Sequence, residues 1–411
     1  MMNVGIEEIN IYGGPAYIDV DQIFKNRGLD MERFENLMME KKSVGLPCED
    51  PVTNAVNAAK PIIDKLSDAE RNSIALLITA SESGLDFGKA IGTYVHDYLG
   101  LSRNCRIFEV KQACFGGTAA LQTAVTYVAS NVAPGTRALV IATDTARAAA
   151  KKTYAEPTQA VGAVAMLVSS NPKVMEMDLG ATGHYSYEVM DTCRPLPELE
   201  LGDADLSLLS YLDCFENSFR HYATKVEGAD FRSTFDYLAF HTPFAGMVKG
   251  AHRKMMRQIK GISMPEIETD FQIRVAPSLT YCVQIGNIYS ATVYAALCGA
   301  ISRISKPGWK RIGIFSYGSG CSSEFYSGLI SEQSAQTLKS MKIDEQLKRR
   351  YHLNFAEYDR IIDLNMEWMF GIENKEIDLE QFYPIYEHSM KGRGLLRLSR
   401  VKDYHREYTW S

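Results

Sequence analysis

Residues 108–129, FEVKQACFGGTAALQTAVTYVA, decide the fold of this 411-residue chain. The run begins with residues that favour a strand, passes through a single cysteine, Cys114, and opens a helix at Gly116 and Gly117. From Thr118 to Ala129 the helix has no charged face, and a helix that is apolar on every side is a buried one. The stretch therefore predicts a core helix, buried on every side, with a cysteine at its N-terminus.

Cys114 has two interpretations. A buried cysteine that only fills space is the more common fate of a single Cys residue. At a helix N-terminus, free N–H groups and the helix dipole favour a thiolate and a bound anionic oxygen. The strand–Cys–Gly–Gly–helix setting favours a nucleophile, and the structural cysteine is the alternative.

The second half of the chain repeats the plan of the first. Ile74–Glu82 and Phe235–His241 are predicted strands that each end in a polar residue. Val283–Ala300 enters an apolar helix of small residues, as the opening stretch does, and Lys310–Gly320 corresponds to the strand Arg137–Asp144. A repeat on this scale indicates two structural units of the same kind.

Two alternating α/β halves, each with a buried helix, predict two sheets that share a central helical layer. The expected fold is an α/β five-layer α/β/α/β/α sandwich with two pseudo-symmetric halves. Its strand ends carry Glu82 and His241, and its helix ends carry Cys114 and Asn287. Because ligands gather at the carboxyl ends of strands, we expect these four side chains to converge.

We expect four parts along the chain. They are an N-terminal half at 1–170, an inserted connecting segment at 171–232, a C-terminal half at 233–330 and a helical cap at 331–411. The first half holds Glu82 and Cys114, and the second holds His241, Asn287 and Ser319.

Composition excludes several classes of protein. A net charge of −6 argues against nucleic acid as the main partner, which would require a dominant basic surface. No uncharged apolar run reaches membrane-spanning length, and the first residues do not resemble a signal peptide. The eight cysteines are scattered and lack zinc-site spacing. We therefore expect a cytoplasmic protein with reduced thiols and no metal.

Five ordered motifs carry a resemblance to a known family. They are Glu82 in SESG, Cys114 in KQAC, His241 in HTPF, the pair Gly286–Asn287, and SYGSG at 316–320. Over about residues 5–330 the chain resembles the hydroxymethylglutaryl-CoA synthases of the thiolase superfamily, which implies a thiolase-like form of the sandwich. Within that family it is most similar to the members that install β-branches in polyketide pathways, such as those for curacin or jamaicamide.

Departures from the mevalonate-pathway enzymes support this placement. Phe115 stands where those enzymes usually have tyrosine, and DTCRP at 191–195 replaces their usual aromatic sequence. One further departure does not bear on the placement: the chain is shorter than its relatives between Arg147 and Tyr154, so that a lid loop is truncated or absent from the sequence.

The resemblance implies a condensing reaction with an acetyl-enzyme intermediate. Cys114 is expected to take the acetyl group as a thioester. Glu82 is expected to remove a proton from the acetyl methyl group, giving an enolate that attacks a ketone. His241 is expected to hydrogen-bond the ketone oxygen and to supply positive charge to the new alkoxide. Water then hydrolyses the thioester.

The resemblance also implies groups that stabilise the oxyanions. The backbone N–H groups of Cys114 and Ser319 are expected to bind the thioester oxygen. Asn287 and Tyr317 are counted with Ser319 as oxyanion- or substrate-binding residues.

Plainer interpretations stay open for three of these side chains. Glu82 is then an exposed carboxylate at the end of a strand. His241 is a core histidine that hydrogen-bonds the backbone, and Asn287 caps its helix.

A basic run follows His241. Its members are Lys249, His252, Arg253, Lys254, Arg257 and Lys260, with no acidic residue among them. A solvated helix face is the usual explanation. Lys249, Arg253 and Arg257 recur at four-residue intervals, which suits binding of a phosphopantetheine phosphate or an acidic carrier protein. Arg33 is a weaker candidate for the same role.

The function expected is condensation of an acetyl group from an acetyl-acyl carrier protein onto the β-ketone of a carrier-bound polyketide. The alternative enzyme is the mevalonate-pathway synthase, which uses acetyl-CoA and acetoacetyl-CoA. A non-catalytic scaffold that only binds carrier proteins is a third hypothesis, disfavoured by the joint presence of Glu82, Cys114 and His241.

Phosphopantetheine thioesters are the expected substrates, with no permanently bound cofactor. Donor and acceptor carriers are the expected partners, and the resemblance implies a homodimer.

Overall fold

The computed structural model describes residues 3–131, 133–146, 150–153, 155–196, 199–304, 307–367 and 370–411. Arg147 and Tyr154, the ends of the loop expected to be short, lie outside the described residues.

The strands are β1 (Gly5–Tyr12), β2 (Ala16–Asp19), β3 (Lys41–Val44), β4 (Ile74–Ala80), β5 (Arg106–Val110), β6 (Arg137–Asp144), β7 (Gly162–Ser169), β8 (Met175–Ser186), β9 (Thr192–Leu196), β10 (Leu199–Gly202), β11 (Tyr237–Phe240), β12 (Lys310–Gly318), β13 (Ser322–Ile330), β14 (Tyr351–His352), β15 (Lys375–Glu376), β16 (Leu396–Lys402) and β17 (His405–Trp410).

The α-helices are α1 (Val20–Arg27), α2 (Met31–Leu37), α3 (Pro51–Ile63), α4 (Asp68–Asn72), α5 (Gly92–Tyr98), α6 (Gly116–Ala129), α7 (Ala204–Lys225), α8 (Ala245–Arg257), α9 (Met264–Asp270), α10 (Leu279–Ile285), α11 (Thr292–Ser302), α12 (Glu332–Lys339), α13 (Ile343–Lys348), α14 (Phe355–Met366) and α15 (Tyr383–Ser389).

Local sequence explains the main elements. α3 begins after Asp50, whose side chain accepts hydrogen bonds from the backbone N–H groups of Val52 and Thr53, and Pro51 occupies its first turn. β4 (IALLITA) and β7 (GAVAMLVS) are apolar runs almost entirely buried, as expected of strands covered on both faces.

Nine of the strands form the main sheet, in the order β11-β12-β13-β8-β1-β7-β6-β4-β5. From the middle outwards, β1-β7-β6-β4 and β8-β13-β12-β11 follow the same plan, with β4 parallel to β6 and β11 parallel to β12. β5 has no counterpart among the described strands of the second half; π-helical and 3₁₀ turns occupy 271–278 instead.

The expectation of two separate sheets is wrong in one respect, because β1 and β8 join the two halves. They pair only through Gly5 with Glu176 and Ile6 with Met175. A Cβ on Gly5 would lie 2.0 Å from the carbonyl oxygen of Met175, so this approach requires glycine.

Adjacent residues of β6 show that α3 and α6 cover opposite faces of the first half. Thr143 donates a hydrogen bond to the carbonyl oxygen of Pro51, at the start of α3. Ala142 lies against Gly117 of α6 instead, since a Cβ on that glycine would be 3.2 Å from the Cβ of Ala142. Successive strand residues point to opposite faces, so this half of the sheet lies between the two helices.

Adjacent residues of β12 show the same arrangement in the second half. Phe315 packs on Phe215 of α7, with ring centroids 4.8 Å apart. Ser316 accepts a hydrogen bond from Thr118 of α6, which is also 2.8 Å from the hydroxyl of Tyr294 on α11. The layers are therefore α3, the first half-sheet, α6 with α11, the second half-sheet and α7, which confirms the five-layer thiolase-like sandwich.

One expectation about the buried helices needs correction. α6 is not buried on every side, because Thr123 and Thr126 are exposed and Gln122 and Tyr127 are half-buried. The stretch from Val283 does enter an apolar helix, α11, which begins at Thr292 after a break that separates it from α10.

The predicted parts of the chain also differ in content from the structure. The segment 171–232, expected to be a connecting insertion, contains β8, which pairs with β13, and α7, which covers the second half-sheet. The cap at 331–411 is not purely helical, since β15, β16 and β17 form a sheet of their own. β8 and α7 occupy the places that β1 and α3 have in the first half.

Candidate active site

Cys114 lies in a tight connection between β5 and α6. The preceding residue, Ala113, has a φ of 42°, a left-handed conformation that is strained for alanine. Gly318 of β12 approaches this connection closely: a Cβ there would lie 2.5 Å from the backbone nitrogen of Phe115 and 2.7 Å from the carbonyl oxygen of Gln112. Only glycine permits the approach, which brings the loop that carries Ser319 towards the cysteine.

Glu82 and Cys114 are in contact. The Cys114 thiol donates a hydrogen bond to Oε1 of Glu82 over 3.3 Å. Glu82 follows the end of β4, and Asp144 ends the parallel neighbour β6. Oδ1 of Asp144 accepts hydrogen bonds from the backbone N–H groups of Glu82 (2.9 Å) and Ser83 (3.0 Å), which fixes the turn that carries the glutamate.

The electrostatics of this pair oppose ionisation of the thiol. Burial, followed by the negative charge of Glu82, raises the pKa of the Cys114 thiol well above its usual range. Burial and the charge of Glu82 also raise the pKa of Asp144 to about 8. The helix dipole alone predicted a thiolate, whereas burial and the neighbouring Glu82 favour a protonated thiol at neutral pH.

His241 lies just after β11 and is 2 % exposed. Its backbone N–H donates to the carbonyl oxygen of Phe315, and its own carbonyl accepts from the hydroxyl of Tyr211, both over 2.8 Å. Burial lowers the pKa of the imidazole to about 3. The ring is therefore neutral at neutral pH and does not carry the positive charge we expected. Its Nδ1 is buried without a hydrogen-bond partner among the described residues.

Asn287 binds the turn that precedes α11. Its Oδ1 accepts hydrogen bonds from the backbone N–H of Tyr289 and the hydroxyl of Thr292, each over 3.0 Å. The N-cap of α11 is Ala291, without a side-chain cap, so the interpretation of Asn287 as the helix cap is wrong. Within the described part of the chain its Nδ2 donates no hydrogen bond, so the amide is available to a ligand.

Tyr317 is committed to another side chain. Its hydroxyl donates to Oδ2 of buried Asp191 over 2.7 Å, and the backbone N–H of Gly320 donates to Oδ1 of the same carboxylate over 2.9 Å. Burial and this contact raise the pKa of Tyr317. Tyr317 and Asp191 therefore anchor the loop around half-buried Ser319.

Sequence reasoning missed Arg194 and Asp144. Nη1 of Arg194 lies 3.3 Å from Oε2 of Glu82, and the β9–β10 hairpin that carries it was expected to be part of a connecting segment. No local pattern indicates this contact, because 112 positions separate the two residues in the sequence. Asp144 could have been found, since it ends a predicted strand beside the one that leads to Glu82.

The predicted carrier-binding residues lie on two neighbouring helices. A Cβ on Gly246 of α8 would be 1.8 Å from the carbonyl oxygen of Asn36, which places α2 directly against the start of α8. Arg33 on α2 is exposed, and so is Arg257 on α8. α8 itself begins four residues after His241.

Part of the basic run is already paired. Lys249 contacts Glu268 at 3.0 Å, and Lys254 contacts Glu216 at 2.9 Å. His252 is buried and hydrogen-bonded to Asp270. Within the described residues, the two arginines of the run, Arg253 and Arg257, form no ion pair.

Neither a metal site nor a membrane-spanning helix is found among the described residues. No three His, Cys, Asp or Glu side chains there come together as a metal site. No described helix has the length and apolarity needed to cross a membrane.

Comparisons with known proteins agree with the geometry. Residues 1–173 match the model described as hydroxymethylglutaryl-coenzyme A synthase N terminal, and 257–408 match the corresponding C-terminal model. The chain is 51% identical, over 100% of both sequences, to the polyketide biosynthesis 3-hydroxy-3-methylglutaryl-ACP synthase PksG of Bacillus subtilis (strain 168). It is 31% identical to the hydroxymethylglutaryl-CoA synthase of Enterococcus faecalis, over 87% of this chain and 91% of that one.

Among solved structures, the curacin biosynthetic pathway HMG synthase matches with a TM-score of 0.96 and 52% identity, over 100% of both chains. The same enzyme has been solved in complex with acetyl donor-ACP, and that structure matches with a TM-score of 0.96 and 51% identity over 100% of both chains.

Proposed function

The chain belongs to the hydroxymethylglutaryl-CoA synthase family, and on that premise we propose that Cys114, Glu82 and His241 carry out its reaction. The protein is a condensing acyltransferase of polyketide β-branching, which adds an acetyl-derived carboxymethyl group to the β-ketone of a carrier-bound polyketide. The observation that carries the residue assignment is the 3.3 Å contact between the Cys114 thiol and the Glu82 carboxylate.

Acetyl transfer is the first step. Sγ of Cys114 attacks the acetyl carbonyl carbon, the new C–S bond forms and the bond to the phosphopantetheine sulfur breaks. Glu82 accepts the hydrogen bond of the thiol and is therefore placed to take its proton, which then passes to the leaving phosphopantetheine thiolate.

Condensation and hydrolysis follow. Glu82 removes a proton from the acetyl methyl group, and the resulting enolate carbon bonds to the ketone carbon of the acceptor. The neutral imidazole of His241 donates a hydrogen bond to the oxygen that becomes the alkoxide. The alkoxide takes up the proton that Glu82 removed from the methyl group, which gives the tertiary alcohol and restores the carboxylate. Water then cleaves the Cys114 thioester, which frees the thiol and leaves a carboxylate on the branch.

Oxyanion stabilisation is assigned to the backbone N–H groups of Cys114 and Ser319, with the Nδ2 amide of Asn287 as a third donor. The close approach of Gly318 to the residues on either side of Cys114 supports this assignment. These steps need no resident cofactor, because each phosphopantetheine thioester brings its own activated acyl group.

The docking surface proposed for the carriers is formed by α2 and α8, with Arg33, Lys249, Arg253 and Arg257. Its support is the contact between the two helices and the absence, within the described residues, of an ion pair at Arg253 or Arg257. A cationic face next to the catalytic histidine suits an acidic carrier and its phosphodiester. Both the acetyl donor and the polyketide acceptor are proposed to be delivered by carrier proteins.

A homodimer is proposed because two adjoining surfaces are uncovered. β5 is the edge strand of the sheet, and its apolar Ile107, Phe108 and Val110 are only half-buried. The open face of α6 adjoins it in the chain. A second copy that pairs at this edge would cover both surfaces.

A cytoplasmic location is proposed because all eight cysteines are free, as is typical of a reducing compartment.

The test of the proposed function uses acetyl-acyl carrier protein and a carrier-bound β-ketoacyl acceptor. The mass of the wild-type protein should increase by one acetyl group on a peptide that contains Cys114, and the acceptor carrier should then gain the mass of the carboxymethyl branch. Cys114→Ser should lose both signals although seven cysteines remain. Acetylation that persists in Cys114→Ser would show that another residue is the nucleophile.

A further inference from the structure

Arg194 is the cation that contacts the carboxylate assigned as the base. Nη1 of Arg194 lies 3.3 Å from Oε2 of Glu82, while Oε1 faces the Cys114 thiol, also at 3.3 Å. We infer that Arg194 is a positioning residue, which holds Glu82 by one oxygen so that the other is directed at the acyl site. This inference rests on the roles proposed for Glu82 and Cys114.

Arg194 is itself held firmly. Its Nε and Nη2 lie 3.0 Å and 2.9 Å from Oε2 of Glu200, on the second strand of the same hairpin. The other oxygen of Glu200 accepts a hydrogen bond from Gln159 over 2.6 Å, and Gln159 accepts one from the hydroxyl of Tyr289. The guanidinium also lies 5.0 Å from the centroid of the Tyr289 ring. A guanidinium held by Glu200 and by the ring of Tyr289 is a rigid reference point for the carboxylate of Glu82.

The hairpin that carries Arg194 is tied to the rest of the active site. Asp191, next to the start of β9, accepts hydrogen bonds from Tyr317 and Gly320, on either side of Ser319. The loop of Ser319 and the side chain of Glu82 are therefore positioned by the same small hairpin. This connection explains why an element outside the nine-stranded sheet reaches the reacting groups.

Charge gives a physical reason for a cation at this position. Glu82 and Asp144 bring two carboxyl groups close to a buried thiol, and the charge of Glu82 disfavours the thiolate. The positive charge of Arg194 acts to lower the pKa of both Cys114 and Asp144, because it favours their ionised forms. It offsets part of the negative charge without contributing an acidic proton of its own.

The contact with Glu82 is ionic and leaves room for movement. Nη1 is buried, but its approach to Glu82 lacks hydrogen-bond geometry, and it makes no other hydrogen bond among the described residues. Glu82 is therefore attracted to one side without being locked. A base that faces first a thiol and then a methyl group needs this freedom to turn.

The experiment compares Arg194→Met with Arg194→Lys, and uses Arg232→Met as a matched control. Arg232 is a half-exposed arginine 3.7 Å from Glu266, outside the described active site. Acetylated enzyme is prepared first, so that single-turnover condensation with a carrier-bound β-ketone reports the step in which Glu82 acts. Melting temperatures are measured in parallel.

Arg194→Met should slow single-turnover condensation about 10- to 100-fold, because misplacement of a general base costs rate without removing it. Arg194→Lys should retain more of the rate, and Arg232→Met should match the wild type. A loss caused only by a loosened hairpin would lower the melting temperature, and Arg194→Lys would not restore the rate.

The double variant Glu82→Gln/Arg194→Met gives the decisive comparison. If Arg194 acts through Glu82, the double variant should condense as slowly as Glu82→Gln and no slower. The inference is overturned if Arg194→Met condenses at the wild-type rate while Glu82→Gln is defective. It is also overturned if adding Arg194→Met to Glu82→Gln slows condensation by the same factor by which Arg194→Met slows the wild-type enzyme. A Glu82→Gln variant that itself condenses normally would instead overturn the proposed role of Glu82, and this inference with it.

Discussion

Glu82→Gln should separate the two chemical steps that take place at Cys114. The amide keeps an oxygen at the position that accepts the thiol hydrogen bond over 3.3 Å, but it does not take up a proton from carbon. Removal of a general base typically costs about 10²–10⁴ in rate, which corresponds to about 3–5 kcal/mol of transition-state free energy. We expect a loss of that size in single-turnover condensation.

Acetyl transfer should survive the same substitution. After burial, the negative charge of Glu82 is the largest cause that raises the pKa of the Cys114 thiol. A neutral glutamine removes this contribution and makes the thiolate more accessible, which offsets the loss of the proton acceptor. We therefore expect the acetylation rate to stay within about 10-fold of the wild type, since each pKa unit of the thiol changes the thiolate fraction tenfold.

Two mass measurements test whether Glu82→Gln separates the steps: the mass of the acetyl group on the protein, and the mass of the branch added to the acceptor carrier. Glu376→Gln is the matched control, because this carboxylate is 82% exposed and pairs with Arg400 outside the described active site. Normal condensation by Glu82→Gln would refute the reasoning, since another residue would then be the base. Loss of acetylation equal to the loss of condensation would show that the substitution does not separate the steps.

Three further outcomes test other parts of the structure. Since burial lowers the pKa of His241 from 6.5 to about 3, the unfolded chain binds a proton between those pH values that the folded chain does not. The free energy of unfolding should therefore fall as pH drops through that window, and more steeply than in His241→Gln, as denaturant titrations at several pH values would show. Gly318→Ala should cost about 1–3 kcal/mol of stability and slow acetylation, because its Cβ would lie 2.5 Å from the backbone nitrogen of Phe115; an unchanged unfolding midpoint would refute the close approach. Arg253→Glu should slow acetylation by acetyl-acyl carrier protein about 10-fold and acetylation by acetyl-CoA much less, with a difference that salt reduces; equal effects on both donors would place the carrier elsewhere.

Sequence reasoning predicted the fold because the signals it needs are local. The apolar runs of β4 and β7, and the small-residue helix after Cys114, are visible in windows of ten to fifteen residues, roughly the length over which periodicity is readable. Where the predicted arrangement of sheets was wrong, the contact that decides it joins residues far apart in the sequence. The link between β1 and β8 depends on Gly5 and Met175, and no pattern near either residue indicates it.

The order of the motifs determined the family and the identity of the three candidate reacting groups, because Glu82, Cys114 and His241 each stand beside the end of a recognisable strand or the start of a helix. Their chemical state was decided only by the tertiary structure. The thiol is protonated and the imidazole neutral because packing removes both from water, and desolvation is a property of the assembled core. The partners were decided in the same way, since Arg194 reaches Glu82 only when a hairpin folds across the site. Sequence thus specified which groups are present, and the packing of distant segments decided their charge and their neighbours.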